Sequence, residues 1–81
     1  MRLDKFLKVS RLIKRRTVAN KVSDQGRIYV NGTMAKPAKQ LKEGDIITIA
    51  QSDSEIKVKI LRIPLNNVSV QEASSLYEVL N

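Results

Sequence analysis

The densest run of positive charge in the sequence, Lys14-Arg15-Arg16, stands directly before Thr17. Threonine is a common N-cap residue, so this pattern predicts that a helix begins here. A helix N-terminus carries partial positive charge and outward-pointing N–H groups, which disfavour bases and favour anions. The arrangement therefore indicates a phosphate-binding site, because free helix N–H groups and arginine forks both bind phosphate oxygens.

The beginning of the chain has the same arrangement. Arg2 and the chain's α-amino group precede a segment with helical periodicity, so positive charge also flanks a second helix N-terminus. Arginine rather than lysine at Arg2, Arg15 and Arg16 favours a bidentate grip on phosphate. The alternative is that these side chains only cover a short turn and point into water.

Two helices must position these side chains, and residues 3–12 are predicted to form the first. Three apolar residues share one face of it at helical spacing: Leu3, Phe6 and Leu7. On another face, Asp4 and Lys8 have the spacing of an i,i+4 ion pair. Asp4 also falls in the first turn, where an acid is favourable.

Residues 17–25 are predicted to form the second helix, with Thr17 as its N-cap. Gly26 is placed to end that helix in a left-handed conformation. Only the residues "IKRR" separate the two helical segments, so we expect a tight turn. Leu12 and Ile13 are expected to fill the corner between the helices.

The clearest local signal for a sheet is Asn31-Gly32, which lies between two β-prone runs. This dipeptide favours a two-residue hairpin loop, which would pair Val30 with Thr33. Two further strands are expected in the segments "DIITIA" and "EIKVKILRI", where β-branched residues recur.

The last segment, residues 69–80, is predicted to be a C-terminal helix. Ser69 and Glu72 have the spacing of a capping box. An apolar stripe follows at helical spacing: Ala73, Leu76, Tyr77 and Leu80. We expect this stripe to pack on the sheet, because so short a domain needs the buried area, and contact with a partner is the alternative.

Together these segments predict an α+β fold: two N-terminal helices packed on a small antiparallel or mixed sheet with an Asn-Gly hairpin, plus a C-terminal helix. Residues 1–64 would form the main domain, and residues 65–81 a C-terminal helical extension packed on the same core. The start at Met1 and the capped last helix lead us to expect a complete chain.

Charge is distributed unevenly along the chain. Residues 1–42 have a net charge of +10, whereas residues 43–81 have a net charge of −3. A concentrated basic region attracts polyanions such as RNA, DNA or anionic lipid. A basic surface that only improves solubility is the alternative interpretation.

The composition leaves little room for catalysis. The chain has no cysteine and no histidine, which excludes disulfides, thiolate metal sites and the usual catalytic triads. Its acidic residues have simpler roles in caps, turns and loops. We therefore expect no enzymatic activity, no metal and no cofactor. No long apolar run or signal peptide is visible, so a cytoplasmic protein without membrane contact is expected.

The order of four motifs, "RLDKFL", "KRRTVANKV", "GRIYVNG" and "EGD", resembles the RNA-binding domain first recognised in ribosomal small-subunit protein four. Over the full length, "MRLDKFLKVSRLIKRRT" and "EASSLYEVL" are similar to the RqcP (YabO) family of ribosome quality control proteins, relatives of heat-shock protein fifteen. The resemblance implies that residues 1–64 are the RNA-binding domain and that residues 65–81 are an extension of it.

The resemblance also implies a function. RqcP-like proteins are non-enzymatic factors of bacterial ribosome-associated quality control, and they bind obstructed large ribosomal subunits that carry peptidyl-tRNA. There they contact large-subunit rRNA and tRNA, and they support alanine tailing of the stalled chain by an RqcH-type factor. On this basis we expect a monomer whose partners are rRNA, tRNA, the stalled large subunit and the tailing factor.

The family's motifs assign RNA contacts to Arg2 of "RLDKFL" and Arg16 of "KRRT". Five further candidate RNA-binding residues stand in the same motifs: Lys5, Lys8, Lys14, Arg15 and Thr17. We expect Arg16, next to the predicted cap, to matter most within the cluster, and Lys14 to matter least.

Three other functions remain open. One is a general rRNA- or tRNA-binding chaperone of the same fold without a role in quality control. Another is the RNA-binding appendage of an enzyme such as a pseudouridine synthase or a tyrosyl-tRNA synthetase. The third is a DNA-binding helix-turn-helix, whose second helix would read base edges. That helix offers suitable polar side chains, but the basic residues crowd its start instead.

Overall fold

The computed structural model describes residues 1–66 and 68–81; residue 67, inside the predicted extension 65–81, lies outside the described residues. The elements in chain order are α1 (Leu3–Val9), α2 (Arg16–Asp24), β1 (Ile28–Val30), β2 (Thr33–Met34), β3 (Ile46–Ala50), β4 (Glu55–Ile60), α3 (Val70–Ala73), a 3₁₀ turn (Ser74–Leu76) and β5 (Tyr77–Val79). The strands form one antiparallel sheet in the order β2-β1-β3-β4-β5. The predicted α+β fold is confirmed.

Helix α1 buries the apolar face that its periodicity predicts: Leu3, Phe6 and Leu7. It ends at Val9, so the predicted extent to residue 12 is wrong. The physical reason is Arg11, whose φ of 63° lies in the left-handed region and turns the chain out of the helix. The N–H of Ile13 then donates to the Leu7 carbonyl at 3.0 Å, which closes the helix end.

Helix α2 ends as expected, since Gly26 follows it with a φ of +75°. Its start differs from the prediction. Arg15 is the N-cap, with no side-chain cap, and Thr17 lies inside the first turn, so Thr17 as N-cap is wrong. The helix includes Arg16 because the guanidinium of Arg16 pairs with the carboxylate of Asp4, which offsets positive charge at the helix start.

The Asn31-Gly32 hairpin forms as predicted, with Val30 opposite Thr33. Both central residues have positive φ, 53° and 84°, as a type I′ turn requires. The Asn31 side chain also donates from Nδ2 to Oδ1 of the buried Asp45 at 3.1 Å. This contact ties the hairpin to the turn that precedes β3.

The C-terminal segment is helical only in part. Ser69 caps α3 by accepting the N–H of Glu72 at 3.2 Å, which confirms Ser69 as the N-cap. The Glu72 carboxylate accepts from the Ser69 hydroxyl at 3.2 Å rather than from the Ser69 N–H of a full capping box. From Tyr77 onward the predicted helix 69–80 is wrong, because the chain becomes β5 and pairs with β4. Strand pairing satisfies backbone groups along the edge of β4, and this tertiary gain outweighs the local helical pattern.

The core lies between the helices and one face of the sheet. Fully buried residues from both helical and strand segments form it, including Phe6 of α1, Ala19 of α2, Ile47 of β3 and Val58 of β4. Leu76 of the 3₁₀ turn belongs to the same cluster. Among the described residues, no helix has the length and apolar character needed to cross a membrane.

Candidate nucleic-acid interface

A buried carboxylate joins the starts of the two N-terminal helices. Asp4, in the first turn of α1, is only 2% exposed, and both of its oxygens face guanidinium groups. The Nε and Nη2 of Arg2 donate to Oδ1 and Oδ2 at 3.2 and 3.3 Å. From α2, the Nη2 of Arg16 donates to Oδ1 at 3.4 Å, and its Nε lies 3.4 Å from Oδ2. Each arginine therefore contacts the carboxylate in a two-pronged manner.

Two further donors complete the environment of the carboxylate. The side-chain amide of Asn20 donates to Oδ2 at 3.2 Å, and the backbone N–H of Lys5 donates to Oδ1 at 2.8 Å. Asn20 lies one helical turn after Arg16, so both residues project from the same side of α2. The predicted pairing of Asp4 with Lys8 is wrong, because the carboxylate is directed at Arg2, Arg16 and Asn20 instead.

These donors determine the charge of the carboxyl group. Burial by itself raises the pKa of Asp4, but hydrogen bonds from Asn20, Arg2 and Arg16 and the positive charge of Arg16 outweigh burial. The pKa is therefore held below its usual value of 3.8. Asp4 is ionised at neutral pH, and the cluster of one carboxylate and two guanidiniums has a net charge of +1.

The outer edges of the two guanidiniums face solvent. The side chains of Arg2 and Arg16 are 44% and 48% exposed. A guanidinium has five N–H donors, and Asp4 engages only the Nε and Nη2 groups of each arginine. Since Nε has one N–H and each Nη has two, both N–H groups of Nη1 and the second N–H of Nη2 remain on each arginine for an external acceptor. An open depression of about 540 Å³ lies here, lined by Arg2, Asp4, Arg16, Thr17 and Asn20.

The start of α1 cannot supply free N–H groups, so the predicted phosphate site at that helix terminus is wrong. The N–H of Leu3 donates to the Lys39 carbonyl at 2.8 Å, and that of Asp4 donates to the Pro37 carbonyl at 3.1 Å. The N–H of Lys5 donates to the Asp4 side chain. The segment around the buried Pro37 therefore caps α1, and the first N–H groups of this helix are not available to a ligand beside Arg2.

The start of α2 is different. Its first backbone hydrogen bond runs from the N–H of Ala19 to the Arg15 carbonyl at 3.0 Å. The N–H groups of Arg16, Thr17 and Val18 precede that bond. Within the described part of the chain, none of them donates to a protein acceptor. Among the described residues, unpaired helix N–H groups next to an arginine are therefore found at the start of α2 and not at the start of α1, so the phosphate site stays a prediction for α2.

The seven candidate residues divide into two groups. Arg2, Arg16 and Thr17 line one depression. The other four do not line it: Lys5, Lys8, Lys14 and Arg15. Of these, the last three are exposed and Lys5 is half-buried.

The sequence did not identify Asp4 and Asn20 as members of this site. Asp4 has an ordinary role available in the first turn of a helix, and Asn20 is one of several polar residues on α2. The one available signal is the i,i+4 spacing of Arg16 and Asn20. That spacing does not reveal their common partner, because the crossing of two helices brings Asp4 between them.

Comparison with known proteins shows which families the chain resembles. The S4 domain matches residues 1–47. The chain is 54% identical to the RQC P-site tRNA stabilizing factor of Halalkalibacterium halodurans, over 98% of this chain and 89% of the relative. It is 46% identical to the Bacillus subtilis protein of the same name, over 99% of this chain and 92% of that one.

A solved structure is also similar over nearly the whole chain. Heat shock protein 15 of Vibrio cholerae, described as trimeric, superposes with a TM-score of 0.88 at 34% sequence identity. The superposition covers 99% of this chain and 81% of the Vibrio chain. The similarity therefore extends beyond the S4 domain to the C-terminal segment.

Proposed function

Because the chain belongs to the S4 domain family and, within it, to the RQC P-site tRNA stabilizing factors of the RqcP family, we propose that it is an RNA-binding factor of bacterial ribosome-associated quality control. Its ligand is a large ribosomal subunit obstructed by peptidyl-tRNA. On that subunit it contacts the P-site tRNA and large-subunit rRNA, and it acts as a monomer in the cytoplasm without catalysing a reaction.

The observation that supports this proposal most strongly is the Arg2–Asp4–Arg16 cluster. Its two half-exposed guanidiniums line a depression together with Thr17, which lies in the first turn of α2. The surrounding half of the chain has a net charge of +10. Such a surface favours the phosphate backbone of folded RNA, since it offers charge and bidentate donors but few aromatic side chains for stacking.

The proposed RNA-binding residues are therefore Arg2, Arg16 and Thr17 in the depression, with Lys5, Lys8, Lys14 and Arg15 around it. The first two grip phosphates, and the lysines and Arg15 add long-range attraction. By stabilising the P-site tRNA, the protein supports alanine tailing of the stalled chain by an RqcH-type factor.

Replacing Arg16 tests this assignment directly. We expect Arg16→Ala to weaken binding to large subunits carrying a P-site tRNA about tenfold, because a bidentate charged contact is lost. Lys14→Ala removes the same charge two residues earlier, from the loop before α2 and outside the depression, and should weaken binding only about twofold. Titration of labelled protein with purified subunits measures the affinities of both variants, and thermal melts monitored by circular dichroism check that both are folded.

The contrary result would be an Arg16→Ala protein with unchanged affinity and a sharply lowered melting temperature. Arg16 would then have only a structural role.

The role in quality control needs a separate measurement. In cells lacking this protein, we expect stalled chains to lose their alanine tails, and the wild-type gene to restore them where the Arg16→Ala gene does not. A general rRNA- or tRNA-binding chaperone would leave the tails unchanged.

A further inference from the structure

Arginine side chains at a protein surface ordinarily sample many rotamers, and binding a phosphate then costs entropy. Arg2 and Arg16 differ from this general case. Each has its Nε and Nη2 groups directed at the buried Asp4 carboxylate, which is itself fixed by Asn20 and the Lys5 N–H. Both guanidiniums are thus oriented before any ligand arrives, and their remaining donors point away from Asp4.

We propose that Asp4 and Asn20 are positioning residues for RNA, holding Arg2 and Arg16 as a preorganised pair that grips neighbouring phosphates of one RNA backbone. This inference rests on the proposed function and adds the mechanism by which the site reaches its affinity. Asp4 contributes to RNA binding through the two arginines, although its own charge repels phosphate.

The two effects of Asp4 have opposite signs, which makes the inference testable. If only the sum of charge mattered, Asp4→Asn would strengthen RNA binding, because it removes a negative charge from the basic face. If positioning dominates, the same change weakens binding. Asparagine keeps an acceptor at one oxygen position but has an NH₂ donor at the other. Since each oxygen of Asp4 faces N–H groups of both Arg2 and Arg16, that NH₂ group would face donors of both arginines.

The experiment compares Asp4→Asn with Asp24→Asn in binding to large ribosomal subunits carrying a P-site tRNA. Asp24 is exposed at the end of α2, so its replacement makes the same change in net charge away from the arginine pair. We expect Asp4→Asn to weaken binding about five- to tenfold, the effect of misplacing one or two charged hydrogen bonds. We expect Asp24→Asn to leave affinity unchanged or slightly higher.

The salt dependence separates positioning from a general loss of stability. Each lost phosphate contact makes the slope of log affinity against log salt shallower by roughly 0.9 for duplex-like RNA. We expect a shallower slope for Asp4→Asn than for the wild type, measured at a temperature where both are folded by circular dichroism. An unchanged or steeper slope with unchanged or tighter binding would overturn the inference.

A second variant keeps the test decisive if Asp4→Asn does not fold. Asn20→Ala removes one donor to Asp4 without changing any charge, and we expect it to weaken binding severalfold with a shallower slope. Unchanged binding by Asn20→Ala in that case would overturn the inference. The outcome for Arg16→Ala keeps the two proposals apart. If Arg16→Ala weakens binding but neither Asp4→Asn nor Asn20→Ala does, only the positioning inference fails; if Arg16→Ala has no effect, the proposed site itself fails.

Discussion

The carboxylate of Asp4 compensates the positive charge that the sequence places at the starts of the two N-terminal helices. Bases at helix starts are unfavourable for folding, and the sequence suggested that an external anion compensates for them. The structure contains an internal anion instead, since the Asp4 carboxylate contacts both Arg2 and Arg16. The internal carboxylate offsets part of the repulsion and leaves the outer guanidinium edges exposed, where we propose that RNA binds.

The lowered pKa of Asp4 predicts how stability depends on pH. The carboxyl pKa is lower in the folded state than in the unfolded state, so its stabilising contribution is present above the unfolded value near 3.8. The contribution is lost as pH falls through the lower, folded-state pKa. We expect Asp4→Asn to destabilise the protein by about 1–3 kcal/mol at neutral pH.

Below about pH 4 the melting temperatures of wild type and Asp4→Asn should converge as the wild-type carboxyl group becomes protonated. Thermal melts between neutral pH and the acid limit of solubility measure this difference. A constant gap across the whole range would show that the ionised carboxylate is not what stabilises the fold.

At the level of helices and strands, features set by neighbouring residues were predicted correctly, whereas features set by contacts between distant residues were not. The buried face of α1, the left-handed Gly26 and the Asn31-Gly32 hairpin all follow from neighbouring residues. The left-handed Arg11 had no local signal, since glycine or asparagine is usual at such a position. β5 was missed because the apolar spacing within its own segment is helical, whereas its pairing with β4 depends on residues distant in sequence.

The same distinction applies to the site. Arg2 and Arg16 were predicted from their motifs, but their shared contact with Asp4 depends on how the two helices pack. Thr17 was predicted as the N-cap of α2, but the helix begins one residue earlier, at Arg16. A capping pattern does not determine the start of a helix when a long-range ion pair, here Arg16 with Asp4, also acts on it.

The packing of the C-terminal segment leads to a stability prediction. Leu76 is fully buried in the same cluster as α1 and the sheet, so Leu76→Ala should lower the free energy of unfolding by about 2–5 kcal/mol. Leu65→Ala makes the same substitution at a residue that is 94% exposed, and should change the free energy of unfolding by less than about 0.5 kcal/mol. Urea unfolding of both variants measures the two values.

We propose on this basis that residues 65–81 are an extension packed on the core of residues 1–64. A Leu76→Ala protein as stable as Leu65→Ala would contradict that arrangement and indicate that the segment serves a partner instead.

Over the whole molecule, charge is the dominant feature. The half of the chain that contains both N-terminal helices has a net charge of +10, and the remainder has a net charge of −3. A polyanion should therefore be attracted mainly to residues 1–42, with counterions released from its phosphates as it binds.

Affinity for RNA should consequently fall steeply with salt. Each phosphate contact contributes a slope of roughly 0.9 log unit of affinity per log unit of salt for duplex-like targets, and several contacts are expected. Titrations with large subunits carrying a P-site tRNA at a series of potassium chloride concentrations measure this slope. A nearly flat response would remove the electrostatic basis of the proposed interface.

The most direct test of the central claim is to identify the RNA cross-linked to this protein in cells, with wild-type and Arg16→Ala proteins compared at equal expression. The proposed function predicts that the wild type recovers large-subunit rRNA together with tRNA. An interface built on the Asp4-held arginine pair predicts that the recovery of both is strongly reduced for Arg16→Ala. Recovery of mainly messenger RNA or DNA, or an unchanged pattern for Arg16→Ala, would contradict it.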